Sequence, residues 1–556
     1  MAKGRPPRGF QNQIPVRSGR LRPLHASALA ARLQEALAFH RRGDLGQAEL
    51  VYREVLGIVP RHFDALHMLG VLEAQRNNPA AAVELIGRAL KIDSGNAAAH
   101  NNRGNALRHL KRHKDALASF DRALALKSDY AEALNNRGNV LRDLDRPADA
   151  LASYDRALAI KPDNAEVLTN RGIALRDLKR PDDALASFDR ALSLRPNNAE
   201  ALNNRGNALR DLKRHDEALA SFEQALALKA DYAEAHYNRG NALRDLDRHD
   251  DAVASYDCAL ACKPDYAEAL NNRGSALRDL MRQEEALASF ERALAVRADY
   301  PEALVNRGHV LNALKRPDDA EASYRAALAC GGDQDLIRYY LAALGVEPQP
   351  STPPRSYVEG LFDQYATRFD RALSELKYEI PRQLFDAVVA VRPDGGKDIA
   401  DLGCGTGMCG QIFRPIARTL VGVDVAANMI QMATARGVYD RLVRGDLNDF
   451  LGAHIGSFDL VIAADVFIYV GDIDAAFAAT RAALRPGGQF AFSVEAFDGE
   501  GFILRPSRRY AHSLAYLRSL AMRYGFTERA SHPVSVRQEE GQDLPGFIAI
   551  FDLGPT

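Results

Sequence analysis

The sequence has almost no net charge. Its 72 Lys and Arg stand against 73 Asp and Glu, leaving −1 at neutral pH. There is therefore no global basic field, and generic nucleic-acid binding is not suggested. No apolar run reaches membrane-spanning length, and the start of the chain lacks the hydrophobic region of a signal peptide, so no membrane partner is expected. Cysteine is scarce. Five of them, an odd number in a long chain, point to a reducing compartment, read here as the cytoplasm. Cys258 and Cys262 sit four apart on a predicted helix, but no His or Cys pair stands at a matching position. They are read as buried thiols, and no metal is expected. What remains is ordinary for a soluble globular protein: 47% apolar and 26% charged residues, in a chain of 556 that needs at least two domains.

The opening segment MAKGRPPRGFQNQIPVRSGRLRPLHAS carries six Lys/Arg and no acid. Residues 1–28 are read as a disordered, solvated basic tail, with a weak anchor for an acidic partner as the sharper alternative. A repeat follows. The eight residues NNRGNALR stand at both 101–108 and 203–210, and the core Asn-Arg-Gly occurs seven times, always 34 residues apart. With each glycine placed at position 8, nine units fill 29–334. Position 20 is Ala in all nine, from Ala48 to Ala320, and position 24 is aromatic in eight, among them Tyr154, Phe188, Phe222 and Tyr256. Small residues let two antiparallel helices approach closely, and the aromatic fills the space beside them.

This pattern resembles the tetratricopeptide repeat, a helix-turn-helix unit. The resemblance implies an α-solenoid in which each unit buries its apolar face against a neighbour and the array presents a long concave surface. On a helix of about 100° per residue, position 6 points about 160° away from the direction shared by positions 4, 8 and 11. Asn102, Asn136, Asn170, Asn204, Asn238, Asn272 and Asn306 therefore face away from their own repeat's core, and Asn105, Asn139, Asn207 and Asn241 at position 9 join the same stripe. An amide both donates and accepts, as recognition of a peptide backbone requires. The stripe resembles the asparagine ladder in the repeats of O-linked N-acetylglucosamine transferase, and that resemblance implies a protein or peptide partner held in the concave groove. The alternative is that the amides bridge adjacent helices of recently duplicated repeats. Arg at position 7 is read as a packed stem with its head at the edge, and Arg at position 12 with Asp at position 13 as pairs along the solenoid.

Periodicity fails after 334. EPQPSTPPRS (347–356) marks a proline-rich linker, taken as 335–356. In 357–556, short β-branched runs alternate with helical stretches: KDIADL, TLVGVD, RLVRGD, FDLVIAAD and GQFAFSVE. Strands interleaved with helices predict a doubly wound, Rossmann-like α/β sheet, with ligands beyond the carboxyl ends of its strands. The chemistry concentrates at ADLGCGTGMCG (400–410). Its literal G-x-G-x-x-G, Gly405 to Gly410, alone weakly suggests a dinucleotide fold. With an acid before the first glycine and Asp424 at the end of the next strand, D-L-G-C-G-T-G is instead similar to the class I S-adenosylmethionine-dependent methyltransferases.

That resemblance implies S-adenosylmethionine as cofactor, without a metal, and assigns roles. Gly403, Cys404, Gly405 and Gly407 would contact its methionine portion, with Asp401 near the ammonium and sulfonium charge. Asp424 would accept both ribose hydroxyls. Asp446 would accept from the adenine amine, Leu447 would offer its backbone N–H, and Met429 would pack on the ring. Ala426 stands where many relatives carry Ser or Thr, so a helix-capping bond is expected to be missing. Asp465 at the end of the fourth strand belongs to the same site and also stands near the acceptor, with Glu495, Arg509 and Tyr510. Tyr469 and His512 are the candidate catalytic residues, His512 as a general base or as a structural histidine. The fourth strand ends ADVFIYV, without the N-P-P-Y or Pro-Cys signatures of nucleobase methylation, so the acceptor is not named by sequence. In YVEGLFDQYATRFDRAL (357–373), Phe362, Tyr365 and Phe369 fit either a helix packed on the sheet or a lid over the cofactor. Three readings of function follow: a methyltransferase whose repeats recruit a protein, a small-molecule methyltransferase localised by its repeats, and an adaptor with a vestigial catalytic domain.

Overall fold

The computed structural model describes residues 26–366, 370, 378–539 and 542–554. The basic tail up to 25, and the Tyr365 and Phe369 side chains, lie outside the described residues. The chain divides into two compact units, 1–264 and 265–556.

In the first unit, paired helices run from Ala26–Arg41 to His249–Cys262. The repeat at 199 shows why. Asn198 caps the helix Ala199–Asp211 by accepting from the Ala201 N–H. The helix stops where Lys213 takes φ +62°, which lets the Arg214 N–H reach back to the Leu209 carbonyl at 2.9 Å. The second helix, His215–Leu228, then packs Phe222 over Gly206, where a Cβ would lie 2.5 Å from the Phe222 ring. Ala218, Phe222 and Ala225 are fully buried.

Polar residues of the repeat are spent on one another. Asn135 donates to Glu166 of the next repeat at 3.0 Å and accepts from Asn170 at 3.0 Å. Asn101 does the same with Glu132 and Asn136. A carboxylate only accepts, so it fixes the orientation of each amide behind it. Asn102 donates to His67, and Asn238 to Asn203. The expected ladder of open amides is therefore largely a structural relay, as in the bridging alternative. Among the described residues of this unit it breaks at Asn203, whose Nδ2 is buried without an acceptor, and at Thr169. Thr169 stands where an Asn would accept, and its hydroxyl turns back to the Ala165 carbonyl. Asn204 has no hydrogen-bond partner among the described residues. At position 9, Asn139 and Asn241 accept from the buried hydroxyls of Tyr154 and Tyr256, whereas Asn105 and Asn207 face Phe repeats and carry no bond there.

The arginines are also tied. Arg137 donates to Asp121 and Ser153, and Arg205 to Asp189 and Ser221, each within 2.7 Å. Arg142–Asp177 and Arg176–Asp211 pair between repeats as expected. Cys258 and Cys262 are a correction: both are exposed. They lie at positions 26 and 30, and position 30 is partly open elsewhere too, with Leu194 38% and Leu228 45% exposed.

The second unit begins with helices Ala267–Asp279 through Pro317–Ala329. Asn306 donates to Asn271, continuing the pattern. A further helix, Gln334–Ala343, occupies the start of the segment read as a linker. Its amphipathic face was hidden by the loss of the 34-residue period. The rest of that segment is anchored rather than loose. Ser351 O accepts from the Gly471 and Asp472 N–H groups, Pro350 O from the Tyr510 hydroxyl, and Gln349 pairs with Phe502 and Leu504. The helix Arg355–Tyr365 follows, and its Tyr357 ring lies 5.0 Å from Tyr339.

The sheet contains the five expected strands, β1 (Lys397–Leu402), β2 (Ala417–Asp424), β3 (Arg441–Arg444), β4 (Phe458–Ala463) and β5 (Leu484–Ala496), with β6 (Phe502–Leu504), β7 (Tyr510–His512), β8 (Phe526–Glu539) and β9 (Gln542–Leu553) beyond them. The order is β3-β2-β1-β4-β5-β7-β6, with β9 antiparallel to β5 and β8 to β9. β1 to β5 pair in parallel. Helices cover both faces, so β1 is buried along its length. The order reverses at β1, which places a crevice at the carboxyl ends of β1, β2 and β4.

Candidate active site

That crevice is a cavity of about 360 Å³. Its floor is the turn after β1. Gly403, Gly405 and Gly407 all take positive φ, at +59°, +52° and +92°, a conformation that side chains strain. On Gly403 a Cβ would also sit 2.7 Å from Val466. The turn is tied to β2 through Asp424, whose Oδ2 accepts from the Gly405 N–H and whose Oδ1 accepts from the Ala426 N–H, both at 2.9 Å. Each carboxylate oxygen keeps a further lone pair. Burial pushes the Asp424 carboxyl up, against the backbone N–H groups that favour its charged form.

Asp401, at the end of β1, is buried and accepts from the Tyr439 hydroxyl at 2.6 Å. Burial pushes it up to about 7, the Tyr439 bond opposes this, and Asp424 adds repulsion. Tyr439 explains Gly410. A Cβ there would meet the Tyr439 hydroxyl at 2.4 Å, so the last glycine of the G-x-G-x-x-G makes room for a tyrosine rather than for a pyrophosphate. Gly407 packs on the same ring and is not among the residues lining the cavity.

Asp401, Gly403, Cys404, Gly405, Asp424, Asp446, Leu447, Asp465 and Tyr469 all line the cavity. Asp446 caps the helix Leu447–Gly452 with Oδ1, leaving its other oxygen uncommitted by that cap. Burial pushes the Cys404 and Cys409 thiols well up, so neither is a thiolate nucleophile. Asp465 takes φ +56°, rare for a residue with a side chain, and accepts from Ser493 Oγ at 3.1 Å.

Besides Gly407, two expected residues are elsewhere. Met429 is fully buried in a small cluster with Ala366 and Ala426, and does not line the cavity. Phe362, packed against that cluster, reaches the wall instead and meets the Tyr469 ring edge-on at 5.1 Å. His512 is fully buried in β7, with Nε2 donating to the Gly471 carbonyl at 2.8 Å. Burial pushes it down to about 4. It is neutral, away from the cavity and structural, which corrects its reading as a base.

The missing cap at Ala426 is real, since no side chain of that residue bonds the helix Ala427–Arg436. Asp363 supplies the acceptor from another helix, taking the Asn428 N–H at 3.0 Å. Thr352, Pro353, Arg355, Val358, Tyr378 and Arg537 also line the cavity. They reach it from the anchored connector, its helix, β8 and, for Tyr378, the residues just before the helix Ile380–Val391, and no local motif marks them. Among the described residues, no cluster of three His, Cys, Asp or Glu is placed to hold a metal, and no helix is long and apolar enough to cross a membrane.

A family model described as a methyltransferase domain matches residues 400–492, and tetratricopeptide-repeat models match 96–264 in overlapping pairs and 237–335. The chain is a tetratricopeptide-repeat array joined to a class I methyltransferase domain. A ubiquinone biosynthesis O-methyltransferase of Thiobacillus denitrificans is 27% identical over 151 residues, 26% of this chain and 64% of the relative. One of Escherichia fergusonii is 25% identical over 231 residues, 38% of this chain and 95% of the relative. The chain thus spans less than two thirds of the first relative and nearly all of the second. The biotin biosynthesis bifunctional protein BioHC of Saccharophagus degradans is 30% identical over 137 residues, 24% of each chain. Among solved structures, YrrB, a TPR protein with an unusual peptide-binding site, is 29% identical with a TM-score of 0.29, covering 34% of this chain and 97% of its own. All three sequence matches fall to the methyltransferase class or to a bifunctional protein, and the methyltransferase model spans the glycine turn, the β2 acid and β4.

Proposed function

We propose that the protein is an S-adenosylmethionine-dependent methyltransferase whose repeats recruit a protein partner and bring an acceptor to the cavity. The observation that carries this reading is the joint between Asp424 and Gly405, which holds an acid and a glycine turn on one wall of an enclosed crevice. The residues fit the cofactor: Asp424 has lone pairs for a vicinal diol, Asp401 a buried carboxyl for a cation, Asp446 and Leu447 an acceptor and a backbone donor for a purine edge. When bound, S-adenosylmethionine supplies a methyl group on a sulfonium, already activated for in-line displacement. The chain's own contribution is then placement and exclusion of water, for which Phe362, Val466, Ile468 and Tyr469 form the apolar wall. Tyr469 stands where it can orient an acceptor. The five free thiols support a reducing, cytoplasmic location.

The Asp401 carboxyl sets a pH dependence. Near pH 7 it gains or loses its proton, and only the ionised form attracts a cation. Affinity for S-adenosylmethionine is expected to fall as pH drops from 8 to 6, approaching about tenfold per unit below the midpoint. Calorimetry at the two pH values checks this, and equal affinities would remove Asp401 from the cofactor site.

In the repeats, Asn204 and Asn207 are open amides for a partner's backbone. Each such bond nets only about 0.5–1.5 kcal/mol, so several contacts must act together. The function is tested by incubating purified protein and methyl-labelled S-adenosylmethionine with a lysate lacking the protein. Label in a protein band supports recruitment of a protein acceptor. Label only in small molecules supports the second reading, a metabolite acceptor, which the O-methyltransferase relatives favour. No label from a protein that binds the cofactor points to the vestigial domain. With a labelled band in hand, Asn204→Ala with Asn207→Ala is expected to reduce its labelling at unchanged helicity.

A further inference from the structure

The cavity wall carries a buried charge cluster that the cofactor roles leave unused. Arg537, on β8, lines the cavity with its side chain only 13% exposed. Its Nη2 stands 3.4 Å from Glu495 Oε1 and 3.6 Å from Asp465 Oδ2, longer than the roughly 2.7–2.9 Å of a well-formed guanidinium–carboxylate bond. Its Nε–H is buried without an acceptor among the described residues. Such an orphan donor is costly and calls for a partner.

The acids around it are better served. Asp465 accepts from the Ser493 and Tyr378 hydroxyls. Glu495 is fully buried and also faces Arg505 at 3.4 Å. Arg509 acts on both acids through its charge. Three guanidiniums thus surround two carboxyls, and burial pushes both carboxyls toward their neutral forms. The local balance is positive beside an apolar wall of Phe362, Ile468 and Tyr469.

We propose that Arg537 is the docking point for an oxyanion on the methyl acceptor, so that the pocket selects a small, largely apolar acceptor group carrying a carboxylate. The proposal rests on the methyltransferase reading for its name of the ligand, but not for the site. A cationic acceptor fits less well, because Asp465 already accepts from Ser493 and Tyr378, whereas Arg537, with one long bond from Nη2 to Glu495, keeps its Nε–H unpaired among the described residues.

Benzoate, benzamide and benzylamine share a ring and differ in charge, and each can be titrated into the full chain by ligand-observed NMR, with and without S-adenosylhomocysteine. Benzoate is expected to bind about tenfold or more tightly than either analogue. Arg537→Gln is expected to remove that preference, and Arg537→Lys to keep part of it. Should the Gln variant not fold, the three-probe comparison on the unaltered protein decides alone. Equal binding of benzamide, preference for benzylamine, absence of benzoate binding, or a preference that survives Arg537→Gln overturns the proposal. Loss of S-adenosylhomocysteine binding to the unaltered protein would instead strike the methyltransferase reading, since the benzoate titration without it reads Arg537 independently.

Discussion

Asp424→Ala is expected to weaken S-adenosylmethionine binding by about 100-fold or more, with the fold retained. Hydrogen bonds to a charged group contribute roughly 1.5–3 kcal/mol each, and a carboxylate meeting a vicinal diol makes two. The alanine also frees the Gly405 N–H, so the glycine turn loses its tie to β2. Asp424→Asn keeps one acceptor and should fall between the two. Calorimetry gives the affinities, and circular dichroism shows whether the sheet persists. An alanine variant that binds as tightly as the unaltered protein would sink the assignment of the β2 acid.

Gly206→Val is expected to destabilise its repeat by about 3 kcal/mol, at the upper end of what overpacking costs. The first added carbon would lie 2.5 Å from the Phe222 ring, and Phe222 is fully buried beneath Ala218 and Ala225. Neither helix can retreat without opening the contacts on its other side. Because each repeat is stabilised by its neighbours, the loss should spread over one or two units and fade. Hydrogen exchange resolves this. Protection in 199–211 and 215–228 should drop, while that of 397–402 stays. Unchanged exchange in 199–228 would mean that the glycine is not a packing requirement.

The parts legible in sequence were those whose geometry is local. A glycine every 34 residues, an alanine pair and an aromatic specify one helix hairpin. A strand ending in Asp401 before Gly403 specifies a turn, whatever lies around it. The parts that were not legible depend on distant residues. Tyr439 bonds Asp401 from 38 positions away, and Arg537 arrives from β8. His512 misled because RPSRRYAHS looks like a polar loop, whereas β7 carries it into the interior. The asparagine stripe was read from a helical angle, and the angle alone could not show that Glu132 and Glu166 would claim the amides behind it.

The anchored connector has a consequence for modularity. Thr352, Pro353 and Arg355 line the cavity, and Ser351 holds the Gly471 and Asp472 backbone. A cut at 356, where composition alone would divide the chain, removes part of the pocket's roof along with the repeats. The catalytic domain is therefore not a cassette that can be lifted out at its first strand or exchanged beneath another repeat array. A transplant that works has to carry the proline-rich stretch with it, as part of the enzyme and not as string.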